Sequence, residues 1–273
     1  MHTESFYELR ALRLDSSHLP VYLYSLNGLL VDTGFTRRRE EVLAFLREQK
    51  HSHAVVTHHH EDHSGNVSSV MKAGLQVWAP EAGLDLIARG FEVEFYRWRV
   101  WGYPERGTCE KLPPEVRAGA LELRAVPAPG HSEDMVVLHL PERGWLFAGD
   151  LFIGRRLRFM RSDEDANALI RSLDRALALD FEVLFCAHRG ILKDGRAQLQ
   201  AKRDYLGSAR DQVRELNRQG FSAREITRRV FGREGFIYYF TGGKFAAINF
   251  VKSFLKDLPP AAAGTETQSR GML

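Results

Sequence analysis

Imidazoles and carboxylates crowd one short stretch, His58-His59-His60-Glu61-Asp62-His63. Taken as His58-x-His60-x-Asp62-His63, it offers three neutral nitrogen donors and one oxygen donor, a borderline-soft set suited to zinc. The stretch follows the apolar run Ala54-Val55-Val56-Thr57 and precedes Ser64-Gly65-Asn66. A β-branched run ending in such side chains looks like a strand delivering ligands at its C-terminal end, with a helix starting after it. A polar loop that happens to be rich in His would read the same way in isolation. Three later positions share the setting: His131 after a strand and Gly130, Asp150 after an apolar strand and Gly149, and His188 after an apolar strand. All seven side chains can therefore converge at one edge of a sheet or pair of sheets, where sites in layered α/β folds often lie. A chance His-rich loop does not require three further matching strand ends.

The elements that must position these residues follow from hydrophobic periodicity. Tyr7-Glu8-Leu9-Arg10-Ala11-Leu12-Arg13-Leu14 alternates with period two, as a half-buried strand should. Residues 21–26 and 29–31 flank Asn27-Gly28, a strong hairpin-turn dipeptide. Residues 38–50 read as a helix whose apolar stripe is Val42, Leu43, Phe45 and Leu46. A strand at 54–57, a helix at 64–72 stopped by Gly74, a strand at 75–79 and a helix from Pro80 to about Gly90 follow. This alternation argues for an α/β layered domain. Residues 91–114 are irregular and aromatic, and read either as a pocket lid or as a strand and hairpin packed on the core. Strands are expected at 120–126, 135–140, 145–148 and 183–187, with a helix starting near Ser162 and Asp165. Helices are expected at 196–218, 222–230 and 244–256.

A chain of 273 residues can bury a substantial core, and 44% hydrophobic with 27% charged residues is ordinary for a globular enzyme. The formal charge of +3 is too small to argue for nucleic acid but permits an anionic small substrate. Cys109 and Cys186 are the two cysteines, so no disulfide framework is implied. With no signal-peptide pattern at the start and no run long enough to span a bilayer, a cytoplasmic location away from membranes is expected.

In this order the residues resemble the signature of metallo-β-lactamase-fold hydrolases of the glyoxalase II-like kind: His58-x-His60-x-Asp62-His63, then His131, Asp150 and His188. Asp32 in Val31-Asp32-Thr33-Gly34 matches the family's first acidic position. The resemblance implies an α/β fold, a four-layer αββα sandwich with metals at one edge. It places a catalytic domain at 1–195 and a helical C-terminal subdomain at 196–257 packed on it; the composition of 258–273 suggests a disordered tail. Carried over residue by residue, it implies two zinc ions, with iron or manganese as alternatives. His58, His60 and His131 would hold the first, Asp62, His63 and His188 the second, and Asp150 would bridge them. His59 and Glu61 become spectators turned away from the metals. Asp32 would stand behind the ligands, accepting a hydrogen bond from a ligand His or orienting its loop. Two dications about 3.5 Å apart repel by roughly 5 kcal/mol at an effective dielectric of 20. Asp62, Asp150 and a bridging hydroxide offset that charge incompletely, so the centre stays net positive and favours a developing oxyanion. The expected chemistry is hydrolysis at a carbonyl or phosphorus centre, with Asp62 orienting the nucleophile or shuttling its proton.

Substrate is less constrained. Arg155, Arg156, Arg158 and Arg161 follow Asp150 and can receive a carboxylate or phosphate, or form a solvated basic face. Tyr238 and Tyr239 can bring phenols into the pocket or pack in the core. Cys186 shares a strand face with His188, either near the metals or as a buried structural thiol. A thioester or other ester-like small molecule carrying an anionic group is the preferred substrate, because glutathione or coenzyme A would explain basic residues near the metals. A lactonase or phosphodiesterase on the same site, and a mononuclear-iron persulfide dioxygenase, are the enzymatic alternatives. A helix–turn–helix-like stretch at 212–232 with Arg214, Arg218, Arg224, Arg228 and Arg229 leaves nucleic-acid binding or a regulatory role as another. A homodimer is also compatible.

Overall fold

The computed structural model describes residues 9–48 and 50–257. Strand β1 (Leu9–Leu14) pairs antiparallel with β2 (Val21–Leu26), which returns through Asn27-Gly28 as β3 (Leu29–Val31). Asn27 at φ 46° and Gly28 at φ 84° are both left-handed, the geometry of a tight turn whose twist matches its strands. Then come α1 (Arg39–Arg47), β4 (His53–Val55), α2 (Glu61–Ser64), α3 (Val67–Lys72), β5 (Gln76–Ala79), α4 (Leu84–Arg89), α5 (Phe95–Trp101) and β6 (Glu110–Lys111). These six strands form one sheet in sequence order, with β3 to β6 parallel.

A second sheet is built from β7 (Glu115–Ala118), β8 (Leu121–Pro127), β9 (Val136–Leu140) and β10 (Trp145–Gly149). After β11 (Met160–Arg161) and α6 (Ala166–Leu177), β12 (Val183–Cys186) and β13 (Gly190–Leu192) complete it in the order β13-β12-β10-β9-β8-β7. The chain continues as α7 (Gly195–Arg218), α8 (Ala223–Val230), α9 (Phe236–Phe240), β14 (Phe245–Ala246) and α10 (Ile248–Leu255). β14 pairs with β11.

Three buried clusters separate four layers. Leu26, Val31 and Val55 of the first sheet meet Leu123, Leu138 and Phe147 of the second. The other face of the first sheet, with Leu23, Ala54 and Val77, packs against Val42 of α1 and Val70 of α3. The other face of the second, with Val137, Leu146 and Leu184, packs against Leu173, Leu206 and Phe250 of α6, α7 and α10. Period two makes this work: Leu138 faces one core and Val137 the next, so each strand serves two layers. The C-terminal helices share a core with the second sheet and have none separate from it among the described residues. None of the described helices is long and apolar enough to cross a membrane.

The structure departs from expectation in four places. Residues 91–114 hold a helix, α5, and the two-residue β6, in place of a hairpin; Arg97 and Trp101, four residues apart on that helix, are both buried. The short edge strand β7, with its buried Val116 and Ala118, is one that the sequence pattern did not signal. The helix expected at 64–72 begins earlier, at Glu61, and breaks at Gly65-Asn66 into α2 and α3. A Cβ on Gly65 would overlap the carbonyl oxygens of Glu61 and Gly34 and the Cα of Phe35, so only glycine lets the chain cross there. The helix expected at 244–256 is confined to 248–255, behind α9 and β14. The tail at 258–273 lies outside the described residues.

Candidate metal centre

Parallel pairing sets the ligand positions. Val31 lies opposite Val55, so Asp32 and the segment leading to His58 leave the first sheet at the same edge. Gly149 lies opposite Cys186, so Asp150 and His188 leave the second sheet together. The edges are stitched to each other: Val136 donates its N–H to the Thr57 carbonyl at 3.0 Å, and Tyr22 to that of Ala187 at 2.7 Å. His131 follows Gly130, whose φ of 138° suits glycine and whose Cβ, if present, would overlap the Leu169 backbone. That close approach seats the His131 loop on the start of α6.

Two groups of side-chain donors result, each with its ligand atoms within 4.8 Å of one another: His58, His60 and His131, and Asp62, His63, Asp150 and His188. All seven residues are at most 9% exposed. In the first group His60 Nδ1 lies 2.9 Å from His58 Nε2 and 3.0 Å from His131 Nε2. In the second, Asp62 Oδ2 lies 3.4 Å from His188 Nε2 and 3.7 Å from His63 Nε2. Asp150 touches both: Oδ2 is 3.2 Å from His131 Nε2 and 3.3 Å from His188 Nε2, while Oδ1 is 3.4 Å from His63 Nε2 and 3.2 Å from His188 Nε2.

The electrostatics are those of a cation site. Burial pushes His58 and His60 well below the usual imidazole range, leaving both rings neutral. Burial acts the same way on His63, but Asp32, Asp62 and Asp150 override it and hold its imidazole well above that range. The carboxylates of Asp150 and Asp62 do likewise for His188, again against burial. His131, also desolvated, is raised to about 9 by Glu164 and Asp150. Conversely, burial opposes ionisation of Asp62, yet the neighbouring imidazoles of His63 and His188 bring it down to about 2. Carboxylates paired with imidazoles in this way will take a dication in place of protons.

His63 Nε2 and Asp150 Oδ1 are buried without a hydrogen-bond partner among the described residues, which native interiors rarely permit. The reverse side of His63 is satisfied, since Nδ1 lies 2.8 Å from Asp32 Oδ2, and that of His188 by the Pro20 carbonyl at 2.9 Å. Each ring therefore turns Nε2 inward as a donor. The residues present fit divalent metal ions. Asp32 adopts φ 65° and also accepts from the Thr57 N–H at 2.7 Å and hydroxyl at 2.9 Å, which hold it in this unusual backbone conformation for a non-glycine.

His59 and Glu61 belong to neither group, but each is more than a filler of the turn. Asp134 accepts from the His59 N–H at 2.7 Å and pairs with its Nδ1 at 2.9 Å. Glu61, fully buried, takes the guanidinium of Arg97 on both its oxygens. Sequence reasoning missed Glu164, whose carboxylate lies 3.2 Å from His131 Nδ1. It also missed Asp134 and Arg97, which no spacing in the sequence links to the motif. Of the four arginines after Asp150, Arg161 reaches the cluster: Nη1 lies 3.0 Å from His60 Nε2 while the fork also engages Asp163. Arg155 instead donates to Gln198 at 2.6 Å and is more than half exposed. Tyr238 and Tyr239 lie on α9 with Tyr239 largely exposed. Cys186 is buried and donates its thiol to the Phe152 carbonyl, the structural arrangement of the two considered.

The Metallo-beta-lactamase superfamily model matches residues 26–188, a span containing Asp32 and all seven candidate ligands. The chain belongs to the metallo-β-lactamase superfamily. Among its relatives is an "Atrochrysone carboxyl ACP thioesterase" of Claviceps purpurea (strain 20.1), 24% identical over 189 residues, 66% of this chain and 54% of that protein. Another is a "Beta-lactamase-like protein 2 homolog" of Drosophila melanogaster, 25% identical over 151 residues, 51% of this chain and 45% of that protein. The chain thus spans about half the length of the curated relatives it matches. Among solved structures, a metallo-β-lactamase family protein from Thermus thermophilus aligns with TM-score 0.64 at 20% identity, over 91% of this chain and 92% of its own. A β-lactamase domain protein from Burkholderia ambifaria aligns with TM-score 0.68 at 20% identity, over 90% and 86%. At that identity the likeness is one of fold.

Proposed function

We propose that this superfamily member is a binuclear metal-dependent hydrolase acting on a thioester, or a closely related ester, of a small anionic molecule. The observation that supports the reading is Asp150, whose carboxylate lies within hydrogen-bonding or ion-pair distance of both donor groups at once, His131 in the first and His63 and His188 in the second. In this reading His58, His60 and His131 hold one zinc ion, Asp62, His63 and His188 hold the other, and Asp150 lies between. Bound ions would supply Lewis acidity and a water of lowered pKa. The chain's own residues do the rest. Asp32 and the Pro20 carbonyl keep the Nε2 atoms of His63 and His188 aimed inward. Asp62 is ionised and can orient the attacking water and accept its proton. A thiol leaving group has a pKa of about 8.5, so it departs as a thiolate without a dedicated general acid. The name of the Claviceps relative, a thioesterase, supports the same bond type.

The test is metal quantification followed by a panel of thioesters, lactones and phosphodiesters on one preparation. Two zinc equivalents, thioester turnover lost on chelation and restored by zinc, and strongly reduced turnover in Asp62→Asn with both metals retained are expected. Failure to hydrolyse any class with both metals loaded would overturn the reading. So would a single iron equivalent with oxygen uptake on a persulfide.

A further inference from the structure

Beside the donor cluster lies an aromatic surface that the hydrolytic chemistry leaves unused. α5 contributes Phe95 and Tyr96, α9 contributes Phe236 and Phe240, and β14 contributes Phe245. Ring centroids lie 5.6 Å apart for Phe95 and Phe240, 5.9 Å for Tyr96 and Phe240, 6.1 Å for Tyr96 and Phe245, and 5.6 Å for Phe236 and Phe240. The rings form one connected wall, yet Phe95 is 55% exposed, Phe236 78% and Phe240 44%. Clustered apolar rings left facing solvent mark a binding surface more often than a packing accident.

Two ties join this wall to the metal ligands. Arg97, the residue after Tyr96, is buried against Glu61, which stands between ligands His60 and Asp62. On the other flank, Arg161 pairs with Phe245 across the β11–β14 ladder and places Nη1 3.0 Å from His60 Nε2. Consecutive residues of the ligand motif, 60 and 61, thus each hold one side of the wall. Neither α5 nor β14 can shift relative to the ligands without breaking one of these contacts. A substrate whose carbonyl reaches the donor cluster therefore meets a fixed aromatic wall next to it.

We propose that this wall is the acyl subsite: it receives a bulky apolar, preferably aromatic, acyl group. The assignment of the occupant as the acyl half rests on the thioester reading above. The test uses binding as well as turnover, on the zinc-loaded full chain. 2-Naphthoate, the acid a naphthoyl thioester would release, is titrated calorimetrically against acetate, which shares its carboxylate. Naphthoate should bind at least about tenfold tighter, and Phe95→Ala and Phe240→Ala should each weaken it roughly three- to tenfold. The ratio of kcat/KM for naphthoyl over acetyl thioesters should fall alongside. Metal content and thermal midpoint establish that each variant is folded.

Naphthoate binding no tighter than acetate, or unchanged in both variants, overturns the proposal. Concentration-dependent dimerisation or phospholipid-vesicle binding abolished by Phe240→Ala, with naphthoate affinity unchanged, overturns it in favour of a second copy or a lipid surface. Naphthoate binding as expected with no thioester hydrolysed leaves the subsite standing and removes the thioester reading.

Discussion

Arg97→Met isolates the buried ion pair behind the ligand motif. Arg97 Nε lies 2.7 Å from Glu61 Oε1 and Nη2 contacts Oε2, with the two side chains 10% and 0% exposed. Charge centres about 4 Å apart interact by roughly 4 kcal/mol at an effective dielectric of 20. Removing one partner of such a pair costs roughly 3–5 kcal/mol, because the other is left charged and dry. Arg97 also lies 3.5 Å from Glu94 Oε2, an oxygen buried without a hydrogen-bond partner although the side chain is 30% exposed, so its loss adds to the cost set by Glu61. For a chain of this size that corresponds to a fall in Tm of roughly 6–20 °C. The assay is thermal unfolding of the zinc-loaded protein at neutral pH for wild type, Arg97→Met, Glu61→Gln and the double variant. The double variant should recover at least half of the loss, since the uncharged amide no longer has to be buried as an ion. A loss below about 1 kcal/mol in Arg97→Met would mean that the pair behaves as an exposed one. A double variant as unstable as Arg97→Met would show that helix packing, and not charge, holds α5.

Three further outcomes are expected. Asp32→Asn removes the charge behind His63 Nδ1 and should weaken metal binding about 10–100-fold in chelator competition; unchanged affinity would show that His63 needs no such partner. Gly130→Ala must place a Cβ against the Leu169 backbone at φ 138°, and should cost roughly 2–4 kcal/mol in denaturant titration. A smaller loss would mean that the His131 loop can move off α6. Lys202 is fully buried with its Nζ donating to the Leu151 carbonyl at 2.7 Å, and burial pushes its ammonium from 10.5 down to about 8. Between those values the unfolded chain binds more protons, so this group's stability contribution rises as pH climbs from about 8 to 10.5. Unfolding midpoints at pH 8 and 10 should show a rise in wild type that is smaller in Lys202→Met, and equal slopes would place Lys202 outside that account.

Much of the fold can be read from local pattern alone. The Asn27-Gly28 hairpin, the strands ahead of His58, His131, Asp150 and His188, and the capped helices after Asp165 and Ser222 all appear close to where periodicity and turn chemistry put them. Each depends on neighbours within a few residues, which is the range over which propensity and capping act. The aromatic stretch at 91–114 was illegible for the opposite reason. Its helix α5 is held by Arg97 to Glu61, 36 residues away, and no local pattern announces that pair.

The superfamily, the layered α/β architecture and the seven residues brought together at the sheet edge are all legible in the residue order, because a metal-ligand signature requires particular residue types at particular strand ends. What stands behind and beside them emerges only in the folded chain. Asp32 behind His63, Glu164 behind His131, Asp134 on His59 and Arg97 on Glu61 are pairings between segments some 30 to 75 residues apart, brought together only by the packing of the folded chain. Tertiary packing likewise separates Arg161, against His60, from Arg155, paired to α7 at the surface. Their side chains are chemically identical and their sequence positions nearly so; what distinguishes them is the β11–β14 ladder, a contact between residues about 85 positions apart.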